Sequence, residues 1–367
     1  MFHTLRFILT DKVVMTKSAP SLRDVAQAAG VSLGTASRAL NNKSNVLPAT
    51  RSLVLKAAAD LGYKLQIRVP TTVSAKINTI GIVVKRDPGK LPRLDPFYYA
   101  VLCGVEDECE RLGLNLMYAS LPVDEFSHAK TWAPLLENDD VDGIVLVGAV
   151  FNDLSITRHI PRHVPVVVVD AYVDGIECDT IITHNFRGAY NAVTYLIEYG
   201  HTKIGLIGSS TDSPEHPGIT ERRMGYMRAL SDHGITETYI ENGLLQGESA
   251  YAAATRLLQR QPDITAIFAC NDDVAQHAMR AALDCGRRVP QDISFVGFDD
   301  TPYALSTQPP LTTMRVDKEL MGGLAVRQLY ERAMNLDRPA ITTLIGTQLV
   351  IRESVAKCAA GQIQAAR

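Results

Sequence analysis

Hydrophobic and polar positions follow two different patterns along the chain, and the change falls near residue 79. Between residues 21 and 62, apolar residues recur at helical spacing in three short stretches. From Thr79 onward, short apolar runs alternate with amphipathic stretches, as in parallel sheets whose strands are connected by helices. The sequence therefore predicts a small all-α head followed by a larger α/β body.

Seven apolar runs in the body predict buried strands. They are TIGIVV at 79–84, LNLMYA at 114–119, GIVLV at 143–147, VPVVVVD at 164–170, KIGLIG at 203–208, TAIFAC at 265–270 and ISFVGF at 293–298. Stretches such as 100–112, 188–199 and 250–260 predict the connecting helices. Two doubly wound parallel sheets account for the length of the body, and open sheets of this kind bind ligands at the carboxyl ends of their strands.

The first two helical stretches of the head predict a helix-turn-helix. Ser21 is followed three residues later by Asp24, the spacing at which a helix N-cap and the third helical residue satisfy each other's amides. Gly30 ends this helix, and Ser32 can cap a second helix running from about 33 to 40. Two short helices joined by a tight glycine turn are typical of this motif, although they also occur in helical bundles.

A third helix completes the predicted head. Pro48 stands at a favoured first-turn position, and the helix runs to about Leu61. Helical spacing predicts that Leu53, Ala57 and Leu61 face inward.

Formal charge divides the chain in the same way. Residues 15–76 hold nine lysines and arginines against two aspartates, a net charge of +7, whereas residues 77–367 carry −11 of the total of −3. A basic head on an acidic body is typical of a protein that binds a polyanion through its head, with a solvated basic surface as the alternative.

The second helix carries side chains suited to DNA. Gly34 adds little bulk, so the helix can enter a major groove about 12 Å wide, where Leu33 offers an apolar contact to a thymine methyl and Arg38 a bidentate contact to guanine. Short polar side chains nearby are suited to phosphate oxygens.

The run SLRDVAQAAGVSLGTASRALNN at 21–42 resembles the DNA-binding head of the LacI/GalR family of bacterial transcription regulators. The resemblance implies a helix-turn-helix domain over 20–63 and a hinge or linker over 64–78. It implies that bases are read by Leu33, Gly34 and Arg38. It implies phosphate contacts from Ser32, Thr35, Ser37, Asn41 and Thr50.

The segment KLQIRVPTTVSAKINTIG after Tyr63 departs from the family pattern. Members of the family usually carry an apolar, alanine-rich hinge helix here, whose leucine wedges into the minor groove. Pro70 makes a regular helix doubtful, because proline inside a helix costs about 3 kcal/mol. The sequence leaves open a displaced wedge at Val69 or Val73 and a plain linker.

The body, residues 79–357, resembles the same family's effector-binding and dimerisation domain, itself similar to periplasmic sugar-binding proteins. The resemblance is carried by YGHTKIGLIG (199–208), RRMGYMRAL (222–230), FACNDDVAQHAMRA (268–281), VPQDISFVGFDD (289–300) and PPLTTMRVD (309–317). It implies two lobes, about 79–172 plus 318–345 and 173–317 plus 346–357, followed by a tail over 358–367.

The resemblance implies effector contacts at Asp170, Arg222, Asn271 and Asp299. Carboxylates, an amide and a guanidinium match adjacent sugar hydroxyls, and Phe97, Tyr98 and Phe298 are candidates to stack on the apolar face of a sugar ring. Lys85, Arg86 and Arg93 lie in a loop that borders the predicted cleft. They favour an acidic or phosphorylated ligand if they face the cleft, and a solvated loop is the alternative.

Motifs for enzymatic chemistry are lacking. The sequence contains no HExxH, GxxxxGK(S/T) or GxSxG motif and no complete GxGxxG, and Pro161 interrupts any helix joining His159 and His163. The six cysteines form no CxxC pair. We therefore expect neither an enzyme nor a protein that carries a metal or cofactor.

No run of apolar residues is long enough to cross a bilayer. Residues 1–19 read as a disordered leader or a mis-called start, since Met15 opens a more conventional beginning. The sequence therefore predicts a cytoplasmic, homodimeric DNA-binding repressor controlled by a sugar or sugar phosphate. The alternatives are a free-standing sugar-binding protein and a regulator that responds to a non-sugar ligand such as a purine.

Overall fold

The computed structural model describes residues 21–40, 46–61, 77–87, 95–124, 130–131, 133–136, 140–148, 159–160, 163–170, 178–212, 215–245 and 247–358. The predicted leader, Asn41, the 64–76 part of the predicted hinge and the tail beyond 358 lie outside these residues, as does Arg93 of the basic loop. The chain divides into two units, residues 1–73 and residues 74–367.

Three helices form the first unit: α1 (Leu22–Ala28), α2 (Leu33–Leu40) and α3 (Pro48–Asp60). The capping box that the sequence predicts is present, because the Asp24 amide donates to the Ser21 hydroxyl and the Ser21 amide donates to the Asp24 carboxylate at 2.7 Å. Gly30 adopts a φ of +63° in the turn between α1 and α2, a conformation that glycine adopts without steric cost.

Small apolar side chains fill the core of this unit. Val25, Ala36 and Val54 are fully buried, and Ala57 is also buried. The inward orientation predicted for Leu53 and Leu61 is wrong, since these side chains are 58% and 40% exposed. Helix α3 turns the face of Val54 toward α1 and α2, one residue along from the face that the leucine spacing indicated.

Two six-stranded sheets form the second unit. The first sheet has the order β11-β5-β4-β3-β1-β2, and its strands are all parallel. They are β1 (Thr79–Arg86), β2 (Asn115–Pro122), β3 (Gly143–Val147), β4 (Val166–Val169), β5 (Asp179–Thr183) and β11 (Thr342–Ile345). Helices α4 (Pro96–Leu112) and α10 (Lys318–Met334) pack together on it. We call this sheet and its helices the first lobe.

The second sheet has the order β12-β10-β9-β8-β6-β7, and only β12 is antiparallel to its neighbour. Its strands are β6 (Ile204–Ser209), β7 (Tyr239–Asn242), β8 (Ala266–Ala269), β9 (Ser294–Asp299), β10 (Thr312–Arg315) and β12 (Gln348–Val350). Its helices are α5 (Asn185–Glu198), α6 (Pro217–Asp232), α7 (Gly247–Arg260), α8 (Asp272–Asp284) and α9 (Pro302–Ser306). We call this the second lobe.

The chain passes between the lobes three times, and the first passage lies later than the sequence predicted. The lobe boundary at 172 is wrong, because β5 pairs with β4 in the first sheet and the chain crosses only after Thr183. The strand DTIIT was missed because it is short and half polar. Within the described residues, no helix is long and apolar enough to cross a membrane.

A buried ion pair holds the return of the chain to the first lobe. The Arg332 guanidinium donates two hydrogen bonds to the Asp179 carboxylate, at 2.9 and 2.7 Å, and Arg338 and the Ile341 amide bind the same carboxylate. Burial by itself would raise the pKa of Asp179, but the hydrogen bonds and charges of its partners outweigh burial and lower it. The pair therefore fixes α10 and β11 against β5.

Replacing Asp179 by Ala is expected to destabilise the protein by about 3 to 5 kcal/mol, because the nearly buried Arg332 loses its counter-charge. Urea unfolding followed by far-UV circular dichroism measures the change. The control is Arg280→Ala, which removes an exposed pair with Asp284 and should cost about 0 to 1 kcal/mol. Equal effects of the two substitutions would show that the buried pair contributes no more than a surface pair.

Candidate functional site

Helix α2 of the first unit presents the predicted base-reading residues to solvent. Leu33, Gly34 and Arg38 are all exposed, and the Arg38 guanidinium lies one turn from Gly34, where an added Cβ would meet it only at 3.9 Å. Leu53 and the C-cap Leu61 of α3 are also exposed, so the exposure of Leu33 does not by itself mark a site.

The predicted phosphate contacts that the structure describes lie at the starts of α2 and α3. The Ser32 hydroxyl accepts from the Thr35 amide at 3.1 Å and lies 2.8 Å from the Thr35 hydroxyl, so Ser32 also caps α2. Thr50 is half-buried in the first turn of α3. Asn41 and the Ser37 side chain lie outside the described residues.

A second cluster forms in the body, where the carboxyl ends of strands from both sheets meet. From the first lobe come Asp170, directly after β4, and Tyr98 in the first turn of α4, whose hydroxyl lies 3.5 Å from the Asp170 carboxylate. Phe97 is buried beside them and packs edge-on against the Tyr98 ring, with centroids 5.4 Å apart. Lys85, at the end of β1, lies over the Tyr98 ring at 5.5 Å.

The second lobe contributes Arg222 from α6 and Asp299 from the end of β9. Arg222 donates to the Asp299 carboxylate at 3.1 Å, and its guanidinium lies 3.7 Å from the centroid of the buried Phe298 ring. Its other donors bind the Asn185 side chain at 2.8 Å and the Cys270 carbonyl at 2.5 Å. Arg222 therefore joins the ends of β8 and β9 to the start of α5.

Asn271 is placed differently from the other predicted effector contacts. Its side-chain oxygen accepts from the Val274 amide at 2.8 Å, which makes it the N-cap of α8. The structure thus brings Asp170, Arg222 and Asp299 together with Tyr98 and Phe97. Asn271 directly follows Cys270, but its side-chain oxygen binds the first turn of α8 and not a residue of this cluster.

Backbone geometry marks the same place. Among the described residues, the non-glycine residues with positive φ are Asp170 (+50°), Asp299 (+99°) and Asp300 (+52°), all directly at the carboxyl ends of β4 and β9. Such conformations cost on the order of 1 to 3 kcal/mol each and tend to occur where function requires them. The carboxylates of Asp170 and Asp299 both lie in the cluster. The Asp300 carboxylate instead binds Arg315 and Arg352 within the second lobe.

Burial governs the ionisation of the cluster. It raises the pKa of Asp170 to about 6, although the charges of Arg222 and Lys85 oppose the rise, and it raises the pKa of Asp299 against the same opposition from Arg222. Burial also raises the pKa of the Cys270 thiol to about 12. Cys270 is therefore a protonated thiol and not a nucleophile at neutral pH.

Sequence reasoning missed three buried or half-buried residues of this region: His216, Asn185 and Asp272. His216 and Asn185 bind Asp170 and Arg222, while Asp272 accepts hydrogen bonds from Thr301 and Thr313 behind the cleft. In sequence these residues look like any other residues at the start of a helix, and only their tertiary contacts identify them as part of the site. Within the described part of the chain, no group of three or more histidine, cysteine, aspartate or glutamate side chains is arranged to hold a metal ion.

Comparison with known proteins identifies both units. Residues 21–66 match the family of bacterial regulatory proteins of the lacI type, and residues 193–355 match a periplasmic binding protein-like domain. The HTH-type transcriptional repressor PurR of Mannheimia succiniciproducens is 32% identical over 351 residues, covering 92% of this chain and 99% of that protein. The chain belongs to the lacI family. It is a DNA-binding transcription regulator and not an enzyme, as the sequence predicted.

Solved structures of lacI-family regulators share the fold. A CelR–cellobiose complex is 29% identical, with a TM-score of 0.66 over 91% of this chain and 99% of that one. A lac repressor dimer bound to operator and the anti-inducer ONPF is 26% identical, with a TM-score of 0.65 over 92% of this chain and 100% of that one. The predicted architecture of a helix-turn-helix head and two parallel-sheet subdomains is thereby confirmed.

Asp170→Asn tests the cost of burying a carboxylate in the cleft. The folded-state pKa of about 6 lies above the ordinary value of 3.8, so the folded chain holds the proton more tightly and wild type loses stability as the pH rises between these values. The amide has no such cost. We expect the stability of the variant relative to wild type to rise by about 1 to 3 kcal/mol from about pH 4 to about pH 7, measured by urea unfolding.

The control is Asp292→Asn on the surface. The hydrogen bond from Arg288 lowers the pKa of Asp292 below its ordinary value of 3.8, so wild type gains its advantage over this variant almost entirely below about pH 4. Between about pH 4 and pH 7 the stability of Asp292→Asn relative to wild type should therefore stay nearly constant, and a rise equal to that of Asp170→Asn would contradict the assignment of Asp170.

Proposed function

We propose that this regulator binds a neutral sugar in the cleft between its two lobes and that the sugar alters the affinity of the head for a DNA operator. The observation that supports this is the convergence of Asp170 from the first lobe with Arg222 and Asp299 from the second. A ligand that contacts both sides favours one relative placement of the lobes, and it shifts the equilibrium by its difference in affinity for the two forms.

The side chains of the cleft suit hydroxyl groups. The carboxylates of Asp170 and Asp299 accept hydrogen bonds from adjacent sugar hydroxyls, and the Tyr98 phenol, whose pKa burial raises well above 10, stays protonated and able to donate. We place Phe97 as an apolar wall and Asn271 as an amide contact through its free side-chain donor. The similar regulator CelR was solved with cellobiose, which agrees with a sugar ligand.

Charge balance favours a neutral sugar over a sugar phosphate. Arg222 is already engaged by Asn185, Cys270 and Asp299, and Lys85 lies 3.5 Å from Asp87 as well as close enough to Asp170 to lower its pKa. Arg222 and Lys85 thus already face carboxylates of the protein, and a phosphate beside them would be repelled by these carboxylates.

The head reads DNA, in this proposal, with α2 in the major groove. Leu33, Gly34 and Arg38 contact base edges, and phosphates are held by Ser32, Thr35, Ser37, Asn41 and Thr50. One small head contacts too little DNA for tight specific binding, so we propose a homodimer that reads two half-sites. The similar lac repressor was solved as a dimer on its operator. A regulator that acts on bacterial DNA works in the cytoplasm.

Thermal unfolding of the full chain tests the sugar proposal. A panel of neutral mono- and disaccharides, sugar phosphates and purines is added singly, and a neutral sugar is expected to raise the melting temperature because it binds the native state alone. At a concentration of 100 times its Kd, the gain is about 2.7 kcal/mol. Asp170→Asn should reduce the shift, and Asp292→Asn should keep it. A shift with sugar phosphates or purines only would reject the neutral-sugar proposal.

Arg38→Ala tests base reading by α2. Operator sequences are first selected from random DNA with the wild-type protein, and binding is then measured by fluorescence anisotropy. The variant should lose about 1 to 3 kcal/mol at one guanine position and discriminate less there. Arg23→Ala removes an exposed arginine from α1 instead and should weaken all sequences evenly. Unchanged discrimination by the Arg38 variant would exclude the role.

A further inference from the structure

His216 forms a hydrogen bond that spans the cleft. It stands just before α6 in the second lobe, and its Nε2 lies 2.9 Å from the backbone carbonyl oxygen of Asp170 in the first lobe. Its other ring nitrogen, Nδ1, accepts from the Gly218 amide at 3.2 Å and so caps α6. One imidazole thus forms hydrogen bonds to both lobes.

The cap determines which ring nitrogen carries the proton. Because Nδ1 accepts from an amide, a neutral ring must bear its hydrogen on Nε2, which then donates to the Asp170 carbonyl. Burial, together with the charges of Lys85 and Arg222, lowers the pKa of His216 to about 4. The ring is therefore neutral at pH 7, with a donor on one side and an acceptor on the other.

Asp170 is a residue whose conformation needs support. Its φ of +50° is unfavourable for a residue with a side chain. Its amide donates to the Ile181 carbonyl at 2.9 Å on the neighbouring strand, so the first lobe holds its nitrogen. The hydrogen bond from His216 holds its carbonyl from the opposite lobe.

We infer that His216 is a positioning residue that fixes the backbone of Asp170 from across the cleft and so links closure of the lobes to the presentation of the Asp170 carboxylate. Separation of the lobes would break this bond, and Asp170 would then keep only the contacts within its own lobe. The role of Asp170 in ligand binding rests on the proposed function, whereas the link between the lobes does not.

Two substitutions separate the cap from the link. In His216→Asn, the side-chain oxygen takes the place of Nδ1 and keeps the cap, but no donor reaches the position of Nε2. In His216→Gln, the amide nitrogen reaches the position of Nε2 and can donate to the Asp170 carbonyl, while the favoured cap is lost. A role in the cap alone predicts that Gln is the more harmful substitution, and the inferred link predicts that Asn is.

His184 supplies a matched control. It precedes α5 as His216 precedes α6, and its Nδ1 accepts from the Arg187 amide at 3.4 Å within the second-lobe helix that it caps. His184→Asn therefore makes the same chemical change as His216→Asn at a helix cap. The hydrogen bond between the His184 ring and the Arg187 amide stays within the first turn of its own helix.

The experiment is hydrogen exchange followed by mass spectrometry on the full chain without sugar or DNA. Peptides covering 166–170 and 178–183 should exchange about 2- to 10-fold faster in His216→Asn, the factor expected for the loss of one hydrogen bond. They should exchange as in wild type in His216→Gln and His184→Asn. Peptides of α6 report the state of the cap separately.

Wild-type exchange at 166–170 in His216→Asn would overturn the inference, and so would equal acceleration by the Asn and Gln variants or faster exchange throughout the body. Because no sugar is present, this result is independent of the thermal shifts. A chain that shows the link but binds no sugar rejects the proposed function alone, and a chain that binds sugar without the link rejects only the inference.

Discussion

The arrangement of the cleft depends on how Arg222 is held. Its guanidinium binds Asn185, the Cys270 carbonyl and Asp299 and lies on the Phe298 ring, so three segments of the second lobe meet at one side chain of α6. A buried guanidinium is tolerated only where its donors are satisfied and its charge is balanced. Since Asp299 supplies that balance, its carboxylate is held beside Arg222 although its backbone is strained.

Across from this cluster, the first lobe contributes fewer contacts to its own site. Asp170 has a strained backbone, a long contact from Tyr98 and an amide bonded to β5, and its carbonyl is bound from the second lobe by His216. The two halves of the cleft therefore differ. The half around Arg222 is held within its own lobe, while the half around Asp170 gains part of its support when the lobes meet, as a site that responds to a ligand requires.

Much of the fold follows from local pattern. The capping box at Ser21, the bounds of α2 and the strand at 143–147 lie where the sequence placed them, because caps, glycine turns and long apolar runs act over a few residues. Shorter strands such as β5, β7 and β11 were not predicted, because a run of four or five residues that is about half polar shows little hydrophobic periodicity. Missing β5 moved the predicted lobe boundary by about one strand.

By itself, the sequence determined the family, the head-and-body division and five of the residues that meet in the cleft, because motif spacing and charge can be read along the chain. These five are Phe97, Tyr98, Asp170, Arg222 and Asp299. The tertiary structure alone decided that His216 touches Asp170, that Asn185 binds Arg222 and that the Asn271 oxygen is committed to a helix cap. Each of these contacts arises from the way in which helices and sheets pack. Which side chains meet across a cleft depends on where the fold places both segments of the chain, and no local sequence pattern specifies that.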